Sequence, residues 1–270
     1  MQVISLSSGS HGNACLVQVA DGALLIDAGL PLKTLLARCA MVGTTAAQLR
    51  GVVLTHEHGD HTTCLGALMR KLRIPLYTMP ATNAMLQPAL QCTFTPLQLG
   101  IPITCGECTI TAWPVSHDAA APIAVRVHDG VHGVAVATDL GTWDDPLVAF
   151  MQSADLVVVE ANHDRERLRL SRYDAHLKLR IASNTGHLDN IQAGTLLAEI
   201  ARDGKQRDAW LAHLSKEANS TALAQRTVRT VLGMHHRLQH YRSIAAMPAH
   251  THLVWGPAQQ SSQQRLWVDD

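Results

Sequence analysis

Apolar and polar positions in the first third of the chain fall into short runs, with no long amphipathic stretch. Val3-Ile4-Ser5-Leu6, Ala14-Cys15-Leu16-Val17-Gln18-Val19 and Ala23-Leu24-Leu25-Ile26 have strand length, and Gly9, Gly12, Asp21-Gly22 and Gly29 punctuate them. From Pro31 to about Met41 the period changes. Leu32, Leu35 and Leu36 share one helical face, and the proline suits a first turn. Gly51-Val52-Val53-Leu54 reads as a buried strand that ends at a histidine cluster, and a helix is expected over 64–69. The middle repeats this organisation, with strands predicted at 109–113, 123–127, 134–137 and 156–159 and helices around 191–202 and 218–232. There is no repeat at the sequence level. Residues 1–244 read as one domain, and 245–270, richer in Pro, Gln and Ser, as a loosely packed tail on it or trailing it. Strands first, mixed elements later and polar motifs at strand ends predict an α/β sandwich with one active edge.

Composition supplies the core without aromatics. The 270 residues are 47% hydrophobic and only 4% aromatic, so aliphatic side chains must fill it. No run of eighteen apolar residues occurs, and the first residues lack a signal peptide's basic start, so a cytoplasmic protein without a membrane span is expected. Six scattered cysteines fit reduced thiols, and Cys105-Gly106-Glu107-Cys108 reads as a hairpin turn in preference to a metal or redox site. Formal net charge is zero but uneven: 7 basic and 12 acidic residues in 1–160, against 14 and 8 in 161–242. Arg165, Arg167, Arg169, Arg172, Lys178 and Arg180 form either a solvated helix face or a surface for a polyanion.

The chemistry concentrates in Thr55-His56-Glu57-His58-Gly59-Asp60-His61. Imidazole and carboxylate suit Zn²⁺, Mn²⁺ or Fe²⁺. Alternate residues of an extended segment share a face, so His56 and His58 can converge on one ion, while Asp60 and His61 can serve a second. Further ligand types stand at the ends of expected strands: His117 in Ser116-His117-Asp118, Asp139 in Thr138-Asp139-Leu140-Gly141, and His213 in Leu211-Ala212-His213-Leu214-Ser215.

His56-x-His58-x-Asp60-His61 followed by His117, Asp139 and His213 resembles the metallo-β-lactamase superfamily, and Asp27 in Leu25-Ile26-Asp27-Ala28-Gly29 matches that family's first motif. The resemblance runs from Ser7 to about Asn219. It implies an αβ/βα four-layer sandwich, two mixed sheets flanked by helices, and two divalent ions, Zn²⁺ or Mn²⁺ with Mg²⁺ or Fe²⁺ as further options. By it, His56, His58 and His117 bind the first ion, Asp60, His61 and His213 the second, Asp139 bridges them, and Asp27 supports the site through hydrogen bonds. Asp139 stands where common zinc β-lactamases carry Cys, which argues against antibiotic hydrolysis. His58 and the chain's length likewise argue against flavodiiron proteins and the long two-domain nucleases.

Glu160 opens Glu160-Ala161-Asn162-His163-Asp164, and His187 lies in Thr185-Gly186-His187-Leu188-Asp189-Asn190. The pairing is similar to that of ribonuclease Z, where a Glu orients a His that protonates the leaving oxygen. A carboxylate fixes the imidazole tautomer and raises its pKa, which favours acid catalysis near neutrality. Ser7–Ala14, Ser116–Ala119, Glu160–Asp164, Leu177–Ile181 and His213–Ser215 together resemble a bacterial subgroup of small metallo-β-lactamase-fold DNA exonucleases, often encoded beside a cell-wall two-component system. Two positions depart from it: His11 stands in place of Lys or a small residue, and Ala218 interrupts an expected Glu-Asn-Asn.

The expected activity is dinuclear-metal-dependent phosphodiester hydrolysis of nucleic acid, DNA by the resemblance. The nucleophile is a hydroxide between the ions, and Asp60, His187 and Glu160 are the catalytic residues. Substrate contacts are expected from Ser10, His11, Asn13, Asn162, His163, Lys178, Arg180 and Ser215. With Tyr173 the sole aromatic residue of the basic segment, phosphate contacts are expected to outweigh base stacking. A glyoxalase II-like thioesterase and a non-catalytic nucleic-acid-binding protein are the competing readings. The first needs neither Glu160 nor His187, and the second should have lost ligands.

Overall fold

The structure, a computed structural model, describes residues 1–86, 90, 92–247, 251–256 and 259–266. Strands β1 (Gln2–Ser7), β2 (Ala14–Val19), β3 (Gly22–Ile26), β4 (Leu49–Val53), β5 (Leu76–Thr78) and β6 (Phe94–Pro96) build most of one sheet. A second holds β7 (Ile103–Cys105), β8 (Cys108–Pro114), β9 (Ile123–His128), β10 (Gly133–Ala137), β11 (Leu156–Glu160), β12 (Arg207–Ala212) and β13 (Tyr241–Ala246). Strands β14 (Thr251–Gly256) and β15 (Gln259–Leu266) extend the first sheet beyond β1 to eight strands. Each sheet is mixed in the same sense. Antiparallel neighbours β1–β3 give way to parallel β3–β6, and antiparallel β7–β10 to parallel β10–β13.

Strands covered on both faces read as continuous apolar runs. Leu24 and Ile26 of β3 meet Val125, Val136 and Val158 of the other sheet in the central core, whereas Ala23 and Leu25 face outward. In β11, Leu156 and Val158 point to the same central core, and Val157 and Val159 to the opposite side. Helices close both outer faces. Helix α1 (Leu32–Met41) and, after the one-turn α2 (Gly59–Thr62), α3 (Leu65–Leu72) cover the first sheet through Leu35, Cys39, Leu65 and Leu68. After α4 (Pro80–Leu86), α5 (Asp145–Gln152) covers the second sheet. Two short helices, α6 (Arg165–Leu170) and α7 (Ala175–Ile181), precede α8 (Asn190–Ile200) and α9 (Thr221–Met234), which share that outer layer. This is the αβ/βα sandwich of the expectation.

Polar residues mark where the later helices start. Asp144, Asp164, Asp174 and Asp189 each accept a backbone N–H at the first turn of α5 to α8, and Ser220 does so for α9. Cys105 and Cys108 pair across the tight turn between β7 and β8, with Gly106 at φ 56°, so the CxxC is a hairpin turn. Of the 245–270 segment, β14 pairs with β1 and buries Leu253 and Trp255 in the central core.

Candidate metal centre

Chemistry-bearing residues collect where strands of both sheets end. Asp27 follows β3, the Thr55–His61 run follows β4, His117 follows β8, Asp139 follows β10, Glu160 ends β11 and His213 follows β12. Loops at the carboxyl ends of parallel strands are where such sheets place their ligands. Asp27, Asp139 and His213 adopt φ of 61°, 57° and 55°, a left-handed conformation costing about 1–3 kcal/mol for a residue with a Cβ. All three bring a side chain to this one centre.

His56, His58 and His117 offer nitrogens within 4.8 Å of one another, and an Asp60 carboxylate oxygen lies equally close to nitrogens of His61 and His213. Asp139 lies between the sets. Its Oδ2 is 3.1 Å from His61 Nε2, and its Oδ1 is 3.3 Å from His213 Nδ1 and 3.9 Å from His117 Nε2. Glu57, the odd member of the His56–His58 run, turns away and accepts the Ala120 N–H at 2.7 Å. The alternation expected of an extended segment therefore holds. All seven expected ligands meet.

Buried acceptors aim the rings. Asp27 Oδ2 accepts from His61 Nδ1 at 2.8 Å, while its Oδ1 takes the Thr55 N–H at 2.9 Å. Thr55 Oγ1 lies 3.0 Å from Asp27 and 3.1 Å from His56 Nδ1, so it relays the carboxylate's hold to a second imidazole. The Gly186 carbonyl accepts from His117 Nδ1 at 3.1 Å. Each contact fixes Nδ1 as the protonated nitrogen and leaves Nε2 as the donor atom toward the centre. Thr55 went unread in the sequence, since a threonine beside a histidine is no signal without its partners.

Glu160 does more than the expected orientation of His187. Its Oε1 accepts from His187 Nδ1 at 2.8 Å and from His213 Nδ1 at 2.7 Å, while its Oε2 accepts the N–H groups of Leu140 and Leu188 at 3.1 and 3.2 Å. Four donors fill a carboxylate's acceptor sites, so Glu160 is engaged in aiming the rings of His187 and His213. Burial pushes its pKa up, but His187 and His213 outweigh burial and bring it to about 2.

Electrostatics divide the imidazoles. Burial, followed by neighbouring His61, drives His56 well below the usual histidine range, and burial lowers His117 as well. Burial also pulls on His61, yet Asp27 and Asp139 overcome it and lift His61 to about 10. His213 is likewise raised against burial by Asp139, Asp60 and Glu160, and His187 by Glu160. Asp139 and Asp60 are held well below the carboxylate range despite burial, chiefly by His213 and His61.

The donor set fits divalent cations. His56 Nε2 is buried with no hydrogen-bond partner among the described residues, an arrangement that is costly unless an ion satisfies it. Five imidazoles with two carboxylates and no thiolate suit Zn²⁺ or Mn²⁺.

A cavity of about 250 Å³ opens over the centre, lined by His58, Asp60, His117, Asp139, His187 and His213 on one side and Tyr173, Leu177 and Ile181 on the other. Of the residues expected to touch substrate, Ser10, Asn162, Arg180 and Ser215 line it. Asn13 instead donates to Asp60 Oδ2 at 3.1 Å and lies 3.0 Å from His61 Nε2, which places it among the ligands. His163 is buried alongside Asp189, and Lys178 donates to the Arg169 carbonyl, so neither lines the cavity. His11 stands at a neighbouring hollow. Much of the basic segment is engaged within the chain: Arg165 with Asp189, Arg169 with Glu166, Arg180 with Asp118, and Arg167 on the Asn219 carbonyl. Ala218 is fully buried against Leu168 and Ile181, under α6 and α7, whose connecting segment carries Tyr173 and whose second helix carries Leu177 to the cavity wall.

A histidine–carboxylate centre at the strand ends of an αβ/βα sandwich defines a metal-dependent hydrolase. Residues 23–214 match the family model described as the beta-lactamase superfamily domain, and the chain belongs to that family. It is 36% identical over 233 residues to exodeoxyribonuclease YycJ of Bacillus anthracis, across 84% of this chain and 87% of that protein. The metallo-beta-lactamase fold protein YhfI from Bacillus subtilis shares the fold with a TM-score of 0.72 at 22% identity, covering 95% of this chain and all of that one. Human tRNase Z, short form, shares it with a TM-score of 0.64 at 14% identity, over 95% and 99% of the two chains. The family resemblance carried by the motifs therefore holds, and so does the hydrolase class, against the non-catalytic reading.

Proposed function

We propose that this chain is a DNA exonuclease acting with two divalent ions. The observation that carries the proposal is the position of His187. Its ring reaches the same cavity as the ligands while Nδ1 is held 2.8 Å from a fully buried carboxylate, Glu160. A phosphodiester releases a sugar oxygen that is a poor leaving group unless protonated. A thioester releases a stable thiolate that needs no acid, so a thioesterase leaves His187 and Glu160 without a task. The exodeoxyribonuclease name of the 36% identical relative supports DNA as the polymer.

His56, His58 and His117 would hold one ion and Asp60, His61 and His213 the other, with Asp139 shared; Zn²⁺ or Mn²⁺ suits this set, and Mg²⁺ and Fe²⁺ are further candidates. When bound, such ions offset charge on phosphoryl oxygens and make water a stronger nucleophile near neutral pH. The chain's own groups supply the rest. With Nδ1–H donated to Glu160, the proton at His187 Nε2 is the one available to a departing oxygen, and its raised pKa keeps it in place near neutrality. Asp60, a quarter exposed to the cavity, is kept ionised by its contact with His213 at 3.3 Å. Ser10, Asn162, Ser215 and Arg180, which line the cavity, would meet the strand, with Arg180 partly neutralised by Asp118. Among the described residues no helix is long and apolar enough to cross a membrane.

The test is digestion of end-labelled single- and double-stranded DNA and RNA by metal-reconstituted protein. A ladder growing from one DNA end is expected. No cleavage with any divalent ion, alongside rapid thioester hydrolysis, would overturn the proposal.

A further inference from the structure

Beside the metal cavity lies a second hollow of about 230 Å³, lined in part by Ser8, Leu214, Ser215, Lys216, Thr221 and Met247. Ser215 lines both, so the two spaces adjoin at one residue, two positions after the ligand His213. Ser8 ties the hollow's floor to the centre, because its Oγ accepts the His213 N–H at 2.7 Å. The mechanism described above uses nothing in this hollow beyond Ser215.

Its chemistry is mixed in a definite way. Leu214 and Met247 give apolar wall, Ser8, Ser215 and Thr221 give hydroxyls, and Lys216 stands exposed, paired with no described carboxylate. A flat base needs apolar surface, its edges and sugar need hydroxyl-type partners, and its phosphate needs a cation. The volume lies below the ~300–1,000 Å³ of pockets for drug-sized ligands, which suits one nucleoside and not a length of strand. Because Ser215 lines both spaces, a nucleotide with its base and sugar in this hollow could set its phosphate at Ser215, beside the metal cavity. We infer that this hollow is the subsite for the nucleotide next to the scissile phosphate, and that it recognises a deoxynucleoside monophosphate. The inference rests on the exonuclease reading for its biological sense, and its binding test stands apart from that reading.

Metal-loaded full-length protein is titrated calorimetrically with dAMP and, separately, with inorganic phosphate, which needs only the ion-holding cavity. Thr221→Trp fills the hollow, and Lys216→Ala removes an exposed charge with little risk to folding; circular dichroism checks both. The wild type should bind dAMP about tenfold more tightly than phosphate, an excess of the size expected from one charge-assisted contact plus base burial. Both variants should lose most of that excess while keeping phosphate affinity and hydrolysis of bis(p-nitrophenyl) phosphate. Equal affinity for dAMP and phosphate in the wild type, or an excess that survives in both variants, overturns the subsite. DNA shortened from an end without the dAMP excess would leave the nuclease reading and remove the subsite. The reverse result would keep the subsite and remove the nuclease.

Discussion

At the scale of single residues, Glu160 decides how the site responds to substitution. It holds His187 and His213 with one oxygen and two backbone N–H groups with the other. Replacing His187 with Ala should therefore lower turnover on DNA by about 10²–10⁴-fold, the usual worth of a general acid, with metal content intact. Replacing Glu160 with Ala removes the support of a ligand as well, and metal affinity should fall about 10–100-fold along with turnover. Atomic absorption after dialysis separates the two. Equal metal loss in both variants would make His187 a ligand instead of an acid. The same residues set a proton balance. His61, lifted to about 10, and His213, raised above its usual range, favour their protonated forms in the metal-free protein. Ligation requires them neutral, so metal uptake near pH 7 should release protons and tighten as pH rises. Calorimetry in buffers of different ionisation enthalpy reads this directly, and an enthalpy independent of buffer would refute it.

At the scale of elements, the ligand run was legible because its spacing is local. His56 to His61 occupy the exit from β4 into α2, where a short apolar strand and alternation suffice to place them. Partners distant in sequence were not legible in the same way. The His213–Glu160 bond joins residues 53 positions apart, and Tyr173 reaches the cavity only because α6 and α7 fold over Ala218. Helices α6 and α7 lacked a clear period, since both are short and mostly exposed. The arginine run, readable as a polyanion surface, is largely committed to local carboxylates and carbonyls. Loop packing sets its own constraint at Gly29. A Cβ there would lie 1.7 Å from the Asp60 carbonyl and 2.5 Å from the Asn13 nitrogen. Gly29→Ala must displace the backbone that carries Asp60 and His61. Metal occupancy should fall with a drop in thermal stability, whereas Gly59→Ala, with open space around it, should leave the metal in place. Metal occupancy retained in Gly29→Ala would show that the loops can yield.

At the scale of the whole molecule, the centre joins two similar halves. His56, His58, Asp60 and His61 come from the first sheet's strand ends, and His117, Asp139 and His213 from the second's. The apolar core between the sheets joins the halves independently of the centre, so the sandwich is expected to persist without a metal. Asp139 and His213, however, stand in left-handed backbone at the meeting edge, and His56 Nε2 is buried there with no hydrogen-bond partner among the described residues. An ion bound to the native state alone stabilises it in proportion to the logarithm of its concentration over Kd, about 4 kcal/mol at a thousandfold excess. For a domain of this size each kcal/mol moves Tm by roughly 2–4 °C. Exhaustive chelation should thus lower Tm by about 8–16 °C while leaving a cooperative transition and the far-ultraviolet signature of the sandwich. Zn²⁺ or Mn²⁺ should restore Tm in a concentration-dependent way, and His213→Ala should abolish most of the response. Complete unfolding on chelation would make the ions structural. A Tm indifferent to them would mean that both halves hold the ligands in place equally well with or without a metal.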